Sequence, residues 1–301
     1  MTAPVLSVIT AVYDKARYLP ALLQNLREQA DFGGNVEFVF ADDSSTDGSA
    51  DWLEAEAARD SRIRVIRNTG NLGPAIRFNQ AAAMALGEWL LPVDADDRLS
   101  GNAASVFLRV ARDRDADLVF ARSVRGAEPE DIPVEPTVTV SDTPLLAIAT
   151  RKIVRMGYLA RAETWREAGG ADERVFIQDQ SLPLRLGAIA QRAAFIEHVA
   201  YWLSVQDGNS LSINTVQQHH DRFLTMAHML DRDLAVSERR VIEAQMISAW
   251  WKLHRDIGGG YGGALPAYLL NRITGRALSP GQREQARMTF AALPNVRRPE
   301  A

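Results

Sequence analysis

Three carboxylates stand within four residues at Asp94-Ala95-Asp96-Asp97, directly after the apolar run 89–93. Like charges packed this closely repel unless something positive sits among them. A hard divalent cation is the natural counter-charge: Mg²⁺ is held by one or two carboxylates plus substrate phosphates, and Mn²⁺ also accepts oxygen ligands. With no Cys and five His in the chain, such a site would be oxygen-ligated. The plainer reading is a solvated acidic turn. A second acidic cluster, Ala41-Asp42-Asp43-Ser44-Ser45-Thr46-Asp47-Gly48-Ser49, follows the apolar run 36–40 and precedes a helical pattern. A carboxylate at a strand end can accept hydrogen bonds from a base N–H or from ribose hydroxyls. Ser45, Thr46 or Asp47 would cap the next helix, which explains part of the run but not the adjacent acids Asp42 and Asp43.

Two further stretches carry candidate groups. In Asn71-Leu72-Gly73-Pro74-Ala75-Ile76-Arg77, Gly73-Pro74 reads as a turn entering a helix, with Pro near its first position. Arg77 would then lie one turn in, near a helix N-terminus that attracts phosphate, or would be an ordinary exposed Arg. In Ile177-Gln178-Asp179-Gln180, Asp179 reads either as an N-cap, with Pro183 just inside the helix, or as a catalytic carboxylate. Other matches carry less. Gly258, Gly260 and Gly263 spell G-x-G-x-x-G, but after a helical pattern and without the acidic residue a dinucleotide site needs. They read as a flexible connector. His219, His220 and His228 read as surface histidines of a helical region, and no G-x-x-x-x-G-K-[ST] is present.

The elements that must position these groups alternate. Short apolar, β-branched runs at 5–12, 36–40, 63–66, 89–93 and 118–120 are separated by helical patterns at 16–29, 49–59, 74–86 and 102–112. Leu19, Leu22, Leu23 and Leu26 fall on one helix face. This predicts an α/β fold with a parallel sheet and right-handed crossovers, its ligands bound outside the carboxyl ends of the strands. Residues 123–144 read as an irregular surface segment, and 145–205 as mixed, with a helix at 162–168 stopped by Gly169-Gly170. From 213 the chain reads as helical, at 216–230, 236–254 and two shorter helices, with a frayed stretch at 297–301. The expected domains are a catalytic unit at 1–212, with halves at about 1–122 and 123–212, and a helical region at 213–301. Its stripe Met246, Trp250, Trp251, Leu253 would pack on the catalytic unit, bind an acceptor, self-associate or touch a membrane surface.

The 301 residues are 47% hydrophobic and 24% charged, with a net charge of −4. That composition is globular, and its sign disfavours a nucleic-acid partner. The first residues read as a strand rather than a signal peptide, and no run of about 18 apolar residues predicts a membrane span. A cytoplasmic setting, with peripheral contact at the inner membrane surface as an option, is the expected localisation.

At these residues the chain resembles the family 2 glycosyltransferases, over much of 5–205. Ser7-Val8-Ile9-Thr10-Ala11-Val12-Tyr13-Asp14 looks like the family's opening S-V-I-x-P-x-Y-N, with Ala11 and Asp14 replacing Pro and Asn. Asp42-Asp43-Ser44-Ser45-Thr46-Asp47-Gly48-Ser49 resembles D-D-G-S-x-D-G-S. Asn71-Leu72-Gly73, Arg77-Phe78-Asn79, Gly87-Glu88-Trp89 and Asp94-Ala95-Asp96-Asp97 follow in the family's order.

The resemblance implies a GT-A fold, Rossmann-like with a mostly parallel central sheet flanked by helices, here with a helical C-terminal extension. It implies inverting transfer of a sugar from a nucleotide-sugar, UDP-linked by family frequency, to a hydroxyl of a glycan or lipid-linked acceptor in bacterial polysaccharide or glycoconjugate synthesis. By position, Ala11, Tyr13 and Asp43 would hold base and ribose, and Asn71 and Ala95 would be further nucleotide-sugar-binding residues. Arg77 would lie near the diphosphate and Asp94 near ribose or metal. Asp96 would bind Mn²⁺ or Mg²⁺, and Asp179 would be the general base, in a Gln178-Asp179 pair where the family has Glu-Asp. Ser204, Gln206 and Asp207 stand where relatives carry an Arg and a His in a closing loop. The competing readings are a sugar-nucleotide nucleotidyltransferase, although no Gly-rich loop follows the first strand, and a non-catalytic nucleotide-sugar-binding module.

Overall fold

A computed structural model describes residues 3–29, 35–126, 130–204, 213–258, 263–291, 293 and 296–298. The chain begins with β1 (Leu6–Val12), α1 (Leu19–Glu28), β2 (Val36–Asp42), α2 (Ser49–Ala57), β3 (Ile63–Arg67), α3 (Pro74–Met84) and β4 (Trp89–Pro92). These strands pair in parallel in the order β3-β2-β1-β4. Every residue of β2 and β4 is buried, as expected of parallel strands covered on both faces. Leu19, Leu22, Leu23 and Leu26 form the buried stripe of α1. That helix starts at Leu19 rather than at the predicted residue 16. Pro20 has no N–H for an interior turn, so it fits only the first turn.

The second half of the sheet is mixed. After β5 (Arg98–Leu99) and α4 (Ala103–Asp113) come β6 (Leu118–Arg125), β7 (Val138–Ser141), α5 (Pro144–Arg151), β8 (Tyr158–Arg161), α6 (Ala162–Ala168), α7 (Gln178–Gly187) and β9 (Ala193–Leu203). β8 runs antiparallel between β4 and β6, β9 lies parallel to β6, and β5 and β7 flank β9 antiparallel. The segment 123–144 therefore contains the end of β6 and the strand β7, where the sequence predicts irregular chain. The partly exposed and mostly polar β7 offers little apolar alternation to read.

Gly87 explains how β4 is seated. A Cβ there would lie 2.6 Å from the Ser7 backbone nitrogen, so only glycine lets residue 87 approach β1. Its N–H donates to Ser7 Oγ at 2.8 Å, and that hydroxyl donates to the buried Glu37 on β2 at 2.6 Å.

The region after β9 is helical as expected: α8 (Thr215–Met229), α9 (Val236–Asp256), α10 (Ala264–Thr274) and α11 (Pro280–Ala291). Met246, Trp250 and Leu253 are buried, and α9 packs on α5, α8 and α10. That stripe is interior packing; Trp251 is partly buried and stacks on Tyr268 at 6.3 Å. Gly258 and Gly263 lie between α9 and α10, and Gly260 falls outside the described residues. Among the described residues, no helix is long and apolar enough to cross a membrane.

Candidate active site

The loops after β1, β2 and β4 meet α7 and the end of β9 around one cleft of about 1420 Å³. Small-molecule pockets are typically about 300–1,000 Å³, so the cleft has room for a nucleotide-sized ligand and a second reactant. Ala11, Tyr13, Asp43, Asn71, Asp94, Ala95, Asp96 and Asp179 all line it. Residues more than 160 positions apart thus converge at the strand carboxyl ends, as the α/β pattern predicts.

The first two loops are stapled together. Asp14 Oδ1 accepts the Thr46 N–H at 2.7 Å, and Asp47 Oδ2 accepts the Ala16 N–H at 2.8 Å. Ser49 Oγ accepts the Lys15 N–H at 3.0 Å. The adjacent acids of the second loop are separated by function. Asp42 Oδ2 turns back to the Ser45 N–H, whereas Asp43 points to the loop after β3. There Asp43 accepts the Leu72 and Gly73 N–H groups at 2.8 and 2.9 Å and the Arg77 Nε at 2.6 Å. Gly73 has φ +94°, and a side chain there would run into the Phe176 ring, so the tight turn requires glycine.

Arg77 departs from its expected place. It is 1% exposed, absent from the cleft lining, and donates to Asp43, Gln80 and the Gly70 carbonyl. An Arg in the first turn of a helix can face phosphate or face inward, and here the buried Asp43 draws it inward. It braces the 70–73 loop rather than lining the cleft.

The 94–97 turn is fixed from β9. The Asp94 N–H donates to Tyr201 Oη at 2.9 Å, and Asp97 Oδ1 accepts the Ser204 N–H at 2.8 Å. Burial, then the neighbouring carboxylates, pushes the Asp94 carboxyl well above its usual range; burial and Asp96 push Asp97 up to about 6. Asp94 Oδ1 also accepts Gln178 Nε2 at 3.1 Å. A neutral amide at 178 suits this crowd, where another carboxylate would add repulsion.

Asp96 lines the cleft beside Asp94 and Asp97 and meets a cation there. Its side chain is 20% exposed and its Oδ2 lies 2.5 Å from Lys15 Nζ. Among the described residues, no three carboxylate or imidazole groups converge as a ready cage for a metal ion. The donor set nevertheless fits a hard cation held by one protein carboxylate, with substrate oxygens completing its shell.

Asp179 does not cap α7. The N-cap is Ile177, and Asp179 Oδ1 is buried without a hydrogen-bond partner. Burial raises its carboxyl to about 7, against the opposing pull of Arg222 and Arg155. Pro183 lies inside the helix rather than at its start, and it has no N–H to offer the carbonyl at 179. A carboxyl poised near neutrality at the wall of a cleft suits proton abstraction.

The sequence reading overlooked the helix that seats Asp179. On α8, Asp221 is fully buried and accepts the Ile177 N–H at 2.7 Å, the Gln217 Nε2 at 2.9 Å and a contact from His220 Nδ1 at 2.7 Å. His220 is 2% exposed, so it is not the surface histidine expected; His228 bonds Asp172 at 2.7 Å. Arg222, one residue on, is lowered to about 10 by burial, with Asp179 opposing. The run His219-His220-Asp221-Arg222 is the signal in the sequence, but nothing local ties it to residue 177. The stretch expected to fray is also engaged: Arg297 lines the cleft and Arg298 donates to carbonyls of residues 290, 291 and 293. Residues 299–301 lie outside the described residues, as do Gln206 and Asp207 of the expected closing loop.

Comparison with known proteins agrees with this architecture. Residues 7–153 match the profile of Glycosyl transferase family 2. A relative, "Glycosyltransferase GlyG" of Streptococcus pneumoniae, is 30% identical over 115 residues, 38% of each chain. The matched stretches span 33% to 38% of the length of the first curated relatives. Staphylococcus aureus TarS 1-349, crystallised with UDP-GlcNAc, superposes with a TM-score of 0.65 at 19% identity, covering 83% of this chain and 80% of that one. The mannosyltransferase PcManGT of Pyrobaculum calidifontis, in complex with GDP-Man and Mn²⁺, superposes with a TM-score of 0.63 at 17% identity, covering 98% and 82%. The chain has the fold of these GT-A proteins.

Proposed function

Because residues 7–153 belong to glycosyl transferase family 2 on a GT-A fold, we propose that this chain moves a sugar from a nucleotide-sugar to an acceptor hydroxyl with inversion. The observation that carries the reading is Asp179: a partly buried carboxyl raised to about 7, with one buried and unpartnered oxygen, on the wall shared with Asp94 and Asp96. A non-catalytic module would have no use for a group so costly to bury.

In this reading Tyr13, 42% exposed at the end of β1, offers its ring to the base. Asp43 and Arg77 brace the 71–73 turn that carries Asn71 to the donor side. Asn71, Ala11, Asp94 and Ala95 complete the donor wall. Asp96 would hold Mn²⁺ or Mg²⁺, which when bound supplies counter-charge to the leaving diphosphate. Asp179 takes the proton of the acceptor hydroxyl as that oxygen attacks the anomeric carbon and the bond to the diphosphate breaks. Asp221 keeps the start of α7 in place, and Gln178 keeps Asp94 from facing another carboxylate.

The donor is UDP-linked and the acceptor a glycan or lipid-linked hydroxyl. This rests on relatives such as "Poly(ribitol-phosphate) beta-glucosyltransferase" of Bacillus spizizenii and on the UDP-GlcNAc complex of TarS. The proposed setting is bacterial polysaccharide or glycoconjugate synthesis in the cytoplasm, with 1–212 as the catalytic unit and 213–301 as its helical support. The test is incubation with UDP- and GDP-sugars, Mn²⁺ and candidate acceptors. Release of nucleoside diphosphate with transfer of the sugar supports the reading. Formation of nucleoside triphosphate from pyrophosphate would make the protein a nucleotidyltransferase.

A further inference from the structure

Arg297 reaches the donor side of the cleft from the far end of the described chain. Its Nη2 donates to Asn71 Oδ1 at 2.6 Å, and its guanidinium lies 4.1 Å from the centre of the Phe176 ring. The backbone beneath it is held at both polar groups by one side chain. Gln217 Oε1 accepts the Arg297 N–H at 2.8 Å, and Gln217 Nε2 donates to the Arg297 carbonyl at 3.1 Å. Gln217 is fully buried and also donates to Asp221, which holds the start of α7. Arg297 is thus seated by the same network that seats Asp179.

The partner it covers is incomplete. Asn71 Nδ2 is buried and has no hydrogen-bond partner. A guanidinium and an orphan amide donor side by side ask for an oxygen-rich anion. Of the other cations at the cleft, Lys15 is engaged with Asp96, Arg17 donates to Tyr18, Arg125 donates to the Ser204 carbonyl, Arg155 acts on Asp179, and Arg77 is withdrawn beneath Asp43. Stacking on Phe176 fixes the guanidinium plane while leaving its edge for a ligand.

We propose that Arg297 is a donor-binding residue whose guanidinium, presented by Gln217 and Phe176 beside Asn71, binds the diphosphate of the nucleoside diphosphate moiety. The inference rests on the glycosyltransferase reading and adds a residue that the matched region 7–153 does not contain.

The test is calorimetric titration of wild type, Arg297→Ala and Arg297→Lys with UDP, GDP and the parent nucleosides in the presence of Mn²⁺. Arg297 is exposed, so unchanged melting of the variants shows an intact fold. Arg297→Ala raises the Kd of the preferred nucleoside diphosphate about tenfold or more, with the nucleoside within about twofold and Arg297→Lys between. Diphosphate binding unchanged in Arg297→Ala overturns the proposal, and tighter binding would make Arg297 a plug. Equal loss for nucleoside and diphosphate also overturns it. A wild type that binds neither diphosphate refutes the glycosyltransferase reading itself.

Discussion

Lys15 Nζ sits 2.5 Å from Asp96 Oδ2, so this cleft-lining carboxylate of the 94–97 cluster already has a counter-ion from the loop after β1. An ammonium and a divalent cation compete for the same oxygen. Replacing Lys15 by Met therefore tightens Mn²⁺ binding to the nucleotide-free protein, by about three- to tenfold for an ion pair this partly buried. Titration of free Mn²⁺ by its EPR signal measures it. Weaker Mn²⁺ binding in Lys15→Met would show that Lys15 orders the site for the metal rather than competing with it.

Arg77 and Asp43 form a buried pair whose other donors and acceptors are also engaged. Removing one partner leaves an uncompensated buried charge. Arg77→Ala destabilises the fold by about 3–5 kcal/mol, read as a lower urea midpoint. Arg77→Lys recovers little, because a single ammonium cannot match the fork that meets Asp43, Gln80 and Gly70. An Arg77→Ala protein as stable as wild type would place the residue in binding instead.

Asp179 links stability to pH in a definite direction. Its carboxyl is raised from 3.8 to about 7, so the native state keeps a proton that the unfolded chain has released between those values. Stability from this group is complete below pH 3.8 and is lost as pH rises through about 7. Asp179→Asn removes the penalty. Its Tm should exceed that of wild type by roughly 5 °C at pH 8, and the gap should shrink steadily toward pH 4. A gap that does not change with pH would mean that Asp179 is not the titrating group.

The parts of the fold written in local pattern were legible. The leucine stripe of α1, the buried runs of β1, β2 and β4, and the acids at their ends follow from periodicity and from repulsion between neighbours. β5 and β7 were not legible, because one has two residues and the other is partly exposed. That Asp43, Asp94, Asp96 and Asp179 line one cleft was legible, because each belongs to a contiguous motif. The inward turn of Arg77 onto Asp43 was not legible, since helix periodicity does not say whether an Arg meets solvent or a buried acid. Asp221 and Arg297 act across 44 and 226 positions, on Ile177 and Asn71. No local signal encodes such a pairing.

In the proposed reaction Asp179 accepts the acceptor's proton. The most direct measurement compares Asp179→Asn with wild type for nucleoside diphosphate binding and for sugar transfer across pH. In Asp179→Asn, binding stays within about twofold while turnover falls by roughly 10²–10⁴. Wild-type kcat/KM rises with pH through about 7, as the carboxyl loses its proton. Near wild-type transfer by Asp179→Asn would contradict that role of Asp179.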